Sequence, residues 1–378
     1  MLSPFKFGKI VEGRFFTNRQ NDIERLVSNF SSGINTVLIS PRRWGKSSLV
    51  RAAAERFARL DKKNNVIFVD LFNIKNEQQF YSYYAKQVIK QTATKPKEWI
   101  DLAKQFLKRI TPKITIPVEN YSDFEISFEL SDESGDFEEI LNLPERIASK
   151  QKHNIVICID EFQNISRFDD PLLIQNRMRA AWQKHNSTAY CIYGSQTHMM
   201  SGLFKSQSMP FYRFGDLYYL NKIDREHFVK FIINAFERTN KTIEKPAAEF
   251  IADSMECHPY YVQQLAHITW LNPGRHASLK DVKAALDEML TQNSALYQKE
   301  IEGISNTQLN FLNAVINNEQ KNIYHHDIIE KYDLGTTGNV TKIIESLTKK
   351  EIIHKPNGTY DFIDPAFKMW FKKYYLGG

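Results

Sequence analysis

The sequence predicts an α/β fold with a parallel sheet, followed by a helical region and a C-terminal winged helix, and three observations support it. First, apolar runs of strand length (Thr36–Ile39, Asn65–Leu71, Ile155–Ile159, Thr188–Tyr193 and Gly215–Leu220) are separated by helix-periodic segments, and such alternation implies parallel pairing. Second, the strands stop after Ile223, and Arg225–Thr239, Lys245–Met255, Pro259–Trp270 and Leu279–Glu302 all carry apolar residues at helical spacing. Third, from residue 303 onward short helices precede Ile352–Lys355 and Thr359–Phe362, a hairpin whose turn uses Gly358 for φ > 0 freedom. The expected boundaries are 1–222 for the core, with a β-hairpin insertion near 110–132, then 223–302 and 303–378.

Composition narrows the class. The 378 residues are 42% hydrophobic and 25% charged, which gives enough core for two or three domains and excludes a mainly disordered chain. No apolar run approaches the roughly 18 residues of a membrane helix, so no membrane span is expected. Met1-Leu2-Ser3-Pro4 lacks the basic-then-apolar build of a signal peptide, and a cytoplasmic location is expected. Cys158, Cys191 and Cys257 show no metal-ligand spacing and read as reduced thiols. A net charge of +6 permits nucleic acid as a partner without arguing for it.

The chemistry starts at Ser40-Pro41-Arg42-Arg43-Trp44-Gly45-Lys46-Ser47-Ser48, between the first strand and a helix-like segment. A tight basic loop before a helix N-terminus makes a phosphate cradle: backbone N–H groups point inward, Lys46 meets the β- and γ-phosphates, and the Ser47 hydroxyl can ligate Mg²⁺. Gly45-Lys46-Ser47 fits GxxxxGK[ST], whereas Ser40 stands where the first Gly is expected. Upstream, Thr17 or Asn18 can cap a helix carrying Ile23, Leu26 and Val27, and the segment with Phe15 or Phe16 and Arg19 is placed to fold over a nucleotide base.

A second strand and the aromatic-rich helix from Glu77 to about Gln91 follow the loop helix, after which Pro96, Pro112 and Pro117 break the rhythm. Lys113–Ile116 and the alternating Phe124–Leu130 read as the hairpin insertion, ending in a solvated acidic turn. Helix Phe137–Lys150 leads back to the sheet. There Ile155–Ile159 ends in Asp160-Glu161, putting two carboxylates at the C-terminal edge of a parallel strand, where ligands of open α/β sheets bind. Asp160 is expected to hold Mg²⁺, and Glu161 to orient and deprotonate the attacking water. Ser195 and Gln196 leave the next strand, and either can contact the γ-phosphate or the water. Arg213, before the fifth strand, is the expected γ-phosphate sensor in cis, in preference to Arg177 or Arg179 acting in trans. Asn221-Lys222-Ile223-Asp224 spells the NKxD of guanine readers, but GTPases carry DxxG at the metal strand, and this chain has Gln163 in place of that Gly. ATP is therefore expected.

Cys257-His258-Pro259 starts a helix whose N-terminus could face a nucleotide, with His258 equally able to serve as a packed residue. In the winged helix, the third helix offers Lys342, Lys349 and Lys350 against Glu345 and Glu351, a weak footprint that leaves DNA and protein partners both open.

Taken together these motifs resemble the archaeal-type ATPases, P-loop proteins close to AAA+ and to the signal-transduction ATPases with numerous domains. Phe16-Thr17-Asn18-Arg19, the loop, Ile159-Asp160-Glu161-Phe162-Gln163, Tyr193-Gly194-Ser195, Phe211-Tyr212-Arg213, His258-Pro259 and Asp364–Trp370 carry the resemblance. The family usually opens its loop with Gly-Pro-Arg-Arg, so Ser40 is a departure. The resemblance implies an AAA+-like ATPase core, a helical lid and a winged helix. The expected function is an Mg²⁺-dependent ATP-binding and ATP-hydrolysing switch in which nucleotide state sets lid and winged-helix position, hydrolysis acting as a slow timer. The alternatives are an ATP-regulated DNA-binding regulator or origin-recognition-like loader, and a scaffold with a degenerate loop. Homo-oligomerisation is left open.

Overall fold

The computed structural model describes residues 2–11, 13, 19–93, 95–107, 110, 113–115, 125–127, 134–355 and 358–377. They form two compact units: residues 19–42 with 46–221, and residues 1–18 and 43–45 with 222–378.

The first unit runs α1 (Gln20–Ser31), β1 (Thr36–Ile39), α2 (Lys46–Leu60), β2 (Asn64–Asp70), α3 (Glu77–Thr92), α4 (Pro96–Phe106), β3 (Lys113–Thr115), β4 (Glu125–Ser127), α5 (Ser134–Leu141), α6 (Leu143–Gln151), β5 (Asn154–Asp160), α7 (Pro171–Trp182), β6 (Thr188–Gly194), α8 (Thr197–Lys205) and β7 (Asp216–Tyr219). A 3₁₀ turn, Phe162–Arg167, joins β5 to α7. Five strands pair in the order β2-β5-β6-β1-β7, all parallel, as strand–helix alternation predicts. β1 and β6 are buried at every residue, which explains why they read as unbroken apolar runs.

Two local readings change. The helix expected over Phe137–Lys150 is split at Asn142 into α5 and α6, because Pro144 sits in the first turn of α6 and has no N–H to continue the ladder. The stretch after Thr92 holds a helix of its own, α4, at whose start the Glu98 carboxylate accepts the Lys95 N–H at 3.3 Å. The hairpin is present as β3 and β4, antiparallel with Ile114 opposite Ile126. Its expected extensions through Ile116 and Phe128–Leu130 lie outside the described residues.

Register matters most for function. Ile39 of β1 lies opposite Gly194 of β6, and Ile159 of β5 lies opposite Ile192, so the residues that leave β1, β5 and β6 emerge side by side at one edge. Below that edge an aromatic core is built on Trp182, which stacks on Tyr190 at 4.2 Å; the Tyr190 hydroxyl also meets His185 Nδ1 at 2.9 Å. Asp216 fixes α1 to the sheet by accepting from Arg25 at 2.9 and 2.7 Å and from Asn29 at 2.9 Å.

The second unit contains α9 (Arg225–Glu237), β8 (Thr242–Ile243), α10 (Lys245–Ser254), α11 (Pro259–Leu271), β9 (His276–Ala277), α12 (Leu279–Gln292), α13 (Ser294–Glu302), α14 (Asn306–Ile316), α15 (His326–Lys331), α16 (Thr337–Lys349), β10 (Ile353–His354), β11 (Asp361–Phe362) and α17 (Pro365–Trp370). Helix Leu279–Glu302 of the sequence reading is two helices, parted at Asn293. One apolar core runs through both the helical region and the winged helix, from Phe228 and Leu265 to Leu347 and Phe367. No described helix is long and apolar enough to cross a membrane.

Trp182 is 1% exposed, so Trp182→Ala should cost about 3–5 kcal/mol of unfolding free energy in a denaturant titration. A loss below about 1 kcal/mol would mean that the stack does not anchor this unit.

Candidate active site

The C-terminal edge of the sheet collects the candidate residues that follow β1, end β5 and follow β6, with those that open α2. Ser40 follows β1 and is buried, with its hydroxyl donating to the Pro41 carbonyl at 3.3 Å. Gly45 has φ +86°, a left-handed conformation that a glycine adopts without cost just before α2. Lys46 opens α2, and its Nζ donates to the Ser40 carbonyl at 3.3 Å and the Pro41 carbonyl at 3.2 Å, so the ammonium lies in the cup of the loop. Ser47 Oγ, in the same turn, donates to Asp160 Oδ2 at 2.8 Å, and Ser48 is buried behind it.

Asp160 ends β5, and its other oxygen, Oδ1, accepts the Glu161 N–H at 2.8 Å. Burial pushes the Asp160 carboxyl up to about 6, and the neighbouring Glu161 adds to the rise, against the opposing pulls of the Ser47 hydroxyl and Lys46. Glu161 leaves the strand with φ 51° and ψ 41°, a left-handed conformation uncommon for a residue with a side chain and concentrated at functional sites. Its Oε2 accepts from Ser195 Oγ at 2.9 Å, from Ser195 N at 3.4 Å and from Gln163 Nε2.

Of the two residues left open after β6, Ser195 is therefore the one joined to Glu161. Gln196 precedes α8, and its Oε1 is buried without a hydrogen-bond partner among the described residues. Arg19 is 6% exposed, with Nη1 donating to the Asn221 carbonyl at 2.7 Å and Asp22 at 3.2 Å, while Nη2 is buried without a partner among the described residues. Phe16 lies outside the described residues.

Arg213 does not join this edge. Asp216 pairs with Thr36 at the start of β1 and β7, so Arg213 lies before the strands, at the opposite edge from the loop that follows Ile39. In a parallel sheet the ligand edge is where strands end, and a residue that enters a strand cannot meet a phosphate there in cis. Arg213 instead lies over the Tyr212 ring at 5.2 Å and lines a cavity of about 370 Å³ with Phe204, Lys205 and Phe214. Arg177 pairs with Glu77 at 2.7 Å and Arg179 covers Phe214 at 5.1 Å.

Within the second unit, His258 caps α11 by accepting the Tyr260 N–H at 3.3 Å, and Pro259 occupies the first turn. Burial lowers His258 to about 3, so its ring is neutral and serves as a cap. Arg43, Trp44 and Gly45 belong to this unit. Arg43 Nη1 donates to the Tyr261 hydroxyl at 3.1 Å and its guanidinium lies over Tyr260 at 4.7 Å. Trp44 is buried and meets the rings of His258 and His354 edge-on at 6.2 and 6.4 Å.

Among the described residues no group of three or more His, Cys, Asp and Glu could cage a metal. A hydroxyl and a carboxylate 2.8 Å apart do fit Mg²⁺, which takes oxygen ligands and completes its shell with phosphate and water.

The sequence reading missed the partners of the chosen residues: Gln163 beside Glu161, Gly194 beneath Gln163, and the Tyr261–Asp364 pair behind Arg43. Gln163 follows Glu161 by two positions, and the left-handed turn at Glu161, which nothing in the sequence announces, brings their side chains together.

Because burial disfavours the Asp160 anion, Asp160→Asn should stabilise the protein without added nucleotide above pH 6, by up to about 3 kcal/mol. The folded-state value is raised, so this gain should fade as pH falls from about 6 toward the ordinary 3.8. Thermal melts at pH 7.5 and 4.5 check this; equal gains at both would rule it out.

A family described as an ATPase domain predominantly from Archaea matches residues 16–265, more than half of the chain. A probable winged helix domain matches residues 295–373. The Walker-type ATPase Paby2304 of Pyrococcus abyssi has a similar structure, with a TM-score of 0.68 at 15% identity over 98% of this chain and 99% of that one. The ORC2 protein of Aeropyrum pernix, solved as ADPNP–ADP complexes, superposes with a TM-score of 0.60 at 14% identity, over 97% of this chain and 96% of that one. The ORC1 protein of the same organism, solved in complex with DNA, gives 0.51 at 11% identity over 97% and 95%. No curated protein sequence matches. With its loop, its Asp-Glu strand end and its winged helix, the chain belongs to this predominantly archaeal ATPase family.

Proposed function

We propose that the chain is an Mg²⁺-dependent ATP-binding and ATP-hydrolysing switch. The observation that carries the reading is the convergence of Lys46, Ser47, Asp160, Glu161 and Ser195 at one sheet edge, with Ser47 and Asp160 joined at 2.8 Å and Ser195 Oγ 2.9 Å from Glu161. Ser40–Ser48 would cradle the phosphates through backbone N–H groups, with Lys46 as the cation. Ser47 and Asp160 would hold Mg²⁺, which neutralises charge on the β- and γ-oxygens. Glu161 would take a proton from water as the water oxygen bonds to the γ-phosphorus. The bond from that phosphorus to the bridging oxygen breaks, and ADP leaves with the electron pair. Ser195 holds the base in place. Arg19, with an unpartnered buried nitrogen, and Phe16 are the residues proposed for the nucleoside.

The coupling half of the reading rests on the loop tip. Arg43 is bonded to Tyr261 of α11, and Tyr261 in turn donates to Asp364, which caps α17 of the winged helix by accepting the Phe367 N–H at 2.9 Å. A change in the loop on phosphate binding would thereby act on the winged helix.

For the winged helix a protein-facing role is preferred to DNA. Lys331, Lys368 and Lys373 are paired with Glu319, with Glu256 and Asp361, and with Asp287, at 2.7–3.1 Å, and Lys350 donates to the Gly303 carbonyl. Paired lysines release few counterions from DNA. Salt-sensitive DNA retention lost on changing Lys342, Lys349 and Lys350 together would reverse that preference.

Lys46→Ala should weaken labelled-ATP binding by about tenfold or more, and Glu161→Gln should bind ATP but lose turnover by about a hundredfold or more. Equal weak binding by wild type and Lys46→Ala would leave a scaffold with a degenerate loop; undiminished turnover by Glu161→Gln would remove its role as base. Tyr261→Phe, which deletes the hydroxyl between Arg43 and Asp364, should alter the ADP release rate by about threefold or more in a stopped-flow displacement. An unchanged rate would disconnect the loop from the winged helix.

A further inference from the structure

We propose that Gln163 is a positioning residue for hydrolysis, holding the Glu161 carboxylate in one orientation; this rests on the ATP-hydrolysing reading above. Glu161 turns out of β5 in a left-handed conformation and the 3₁₀ turn Phe162–Arg167 follows at once, which brings the side chain of Gln163 back beside that of Glu161. The turn is anchored by Phe162, fully buried and packed on Phe211 at 5.2 Å and Phe204 at 5.8 Å, and by Ile165, also fully buried. Gln163 is 2% exposed, so its amide has few alternatives.

The hydrogen bonds are asymmetric on both side chains. Gln163 Nε2 donates to Glu161 Oε2, and Ser195 donates to the same oxygen through Oγ at 2.9 Å and N at 3.4 Å. No described residue donates to Oε1 of Glu161, so the carboxylate is pinned by one oxygen and the other is left for water. On Gln163 the Nε2 is used, and Oε1 is buried with no partner among the described residues. That oxygen lies against Gly194, where an added Cβ would come within 2.0 Å of it. A buried amide with an unmet acceptor is destabilising, and an apolar side chain of the same length would fit the slot with no such penalty. The amide is therefore best explained by what its N–H does for Glu161.

Gln163→Met keeps the length and apolar packing and removes the donor. In the purified full chain it should lower kcat for ATP by about tenfold or more, with ATP affinity within about twofold and a melting temperature equal to or above that of wild type. If Gln163 acts through Glu161, adding Gln163→Met to Glu161→Gln should not reduce the residual turnover further. Turnover by Gln163→Met at or above the wild-type rate would overturn the proposal, as would a loss that falls equally on affinity, or a loss that persists in the Glu161→Gln background. Glu161→Gln alone separates the two readings: if it hydrolyses ATP like wild type, the base assignment fails, and the Gln163 result then has no carboxylate to act through.

Discussion

The hydrogen bond from Ser47 to Asp160 joins residues 113 positions apart, and the chemistry proposed for the first unit depends on it. It can form only because β5 and β1 flank β6 in a parallel sheet, so that the helix after β1 and the end of β5 open on the same side. The sheet does not merely carry the loop. It sets the separation between a hydroxyl and a carboxylate that would share one cation, while the registers of β6 with both neighbours bring Ser195 beside Glu161. A one-residue slip of β6 would turn Ser195 to the other face and leave Glu161 without its hydroxyl partner.

That arrangement is held against an electrostatic cost. Asp160 and Glu161 are consecutive acids at a mostly buried edge, and Asp160 is raised to about 6 by that burial first and by Glu161 next. The nearby Lys46 ammonium and Ser47 hydroxyl offset only part of it. Glu161 adds a left-handed backbone, a conformation disfavoured for a residue with a Cβ. Costs of this kind persist where the surroundings over-determine the geometry, and here the fully buried Phe162 and Ile165 supply the determination.

The central strands were the most legible from the chain, because β1, β5 and β6 are buried along nearly their whole length and read as apolar runs. The loop and the Asp-Glu end were legible because their chemistry demands particular residues at particular offsets. Helix lengths were less so: apolar periodicity continues across Asn142 and Asn293, where the helices stop. Arg213 shows a different failure, since its sequence context marks proximity to a strand and the strand's direction places it at the edge without the loop. Gln163 shows a third. It entered as a residue of the motif and as the absence of a glycine, with no role of its own, because the left-handed turn at Glu161 that folds its side chain back on the carboxylate leaves no mark in the sequence.

Gly194 shows how narrow such local constraints are. Its φ is not in the left-handed region, so the backbone would accept any residue; what it lacks room for is a first side-chain carbon, because the Gln163 amide fills that volume. It is a spacer for another residue's side chain. Positions 163 and 194, 31 apart in the chain, therefore belong to one steric unit: a first side-chain carbon at 194 would meet the Gln163 amide oxygen at 2.0 Å and the Met200 sulfur at 2.9 Å, and could enter only by displacing both.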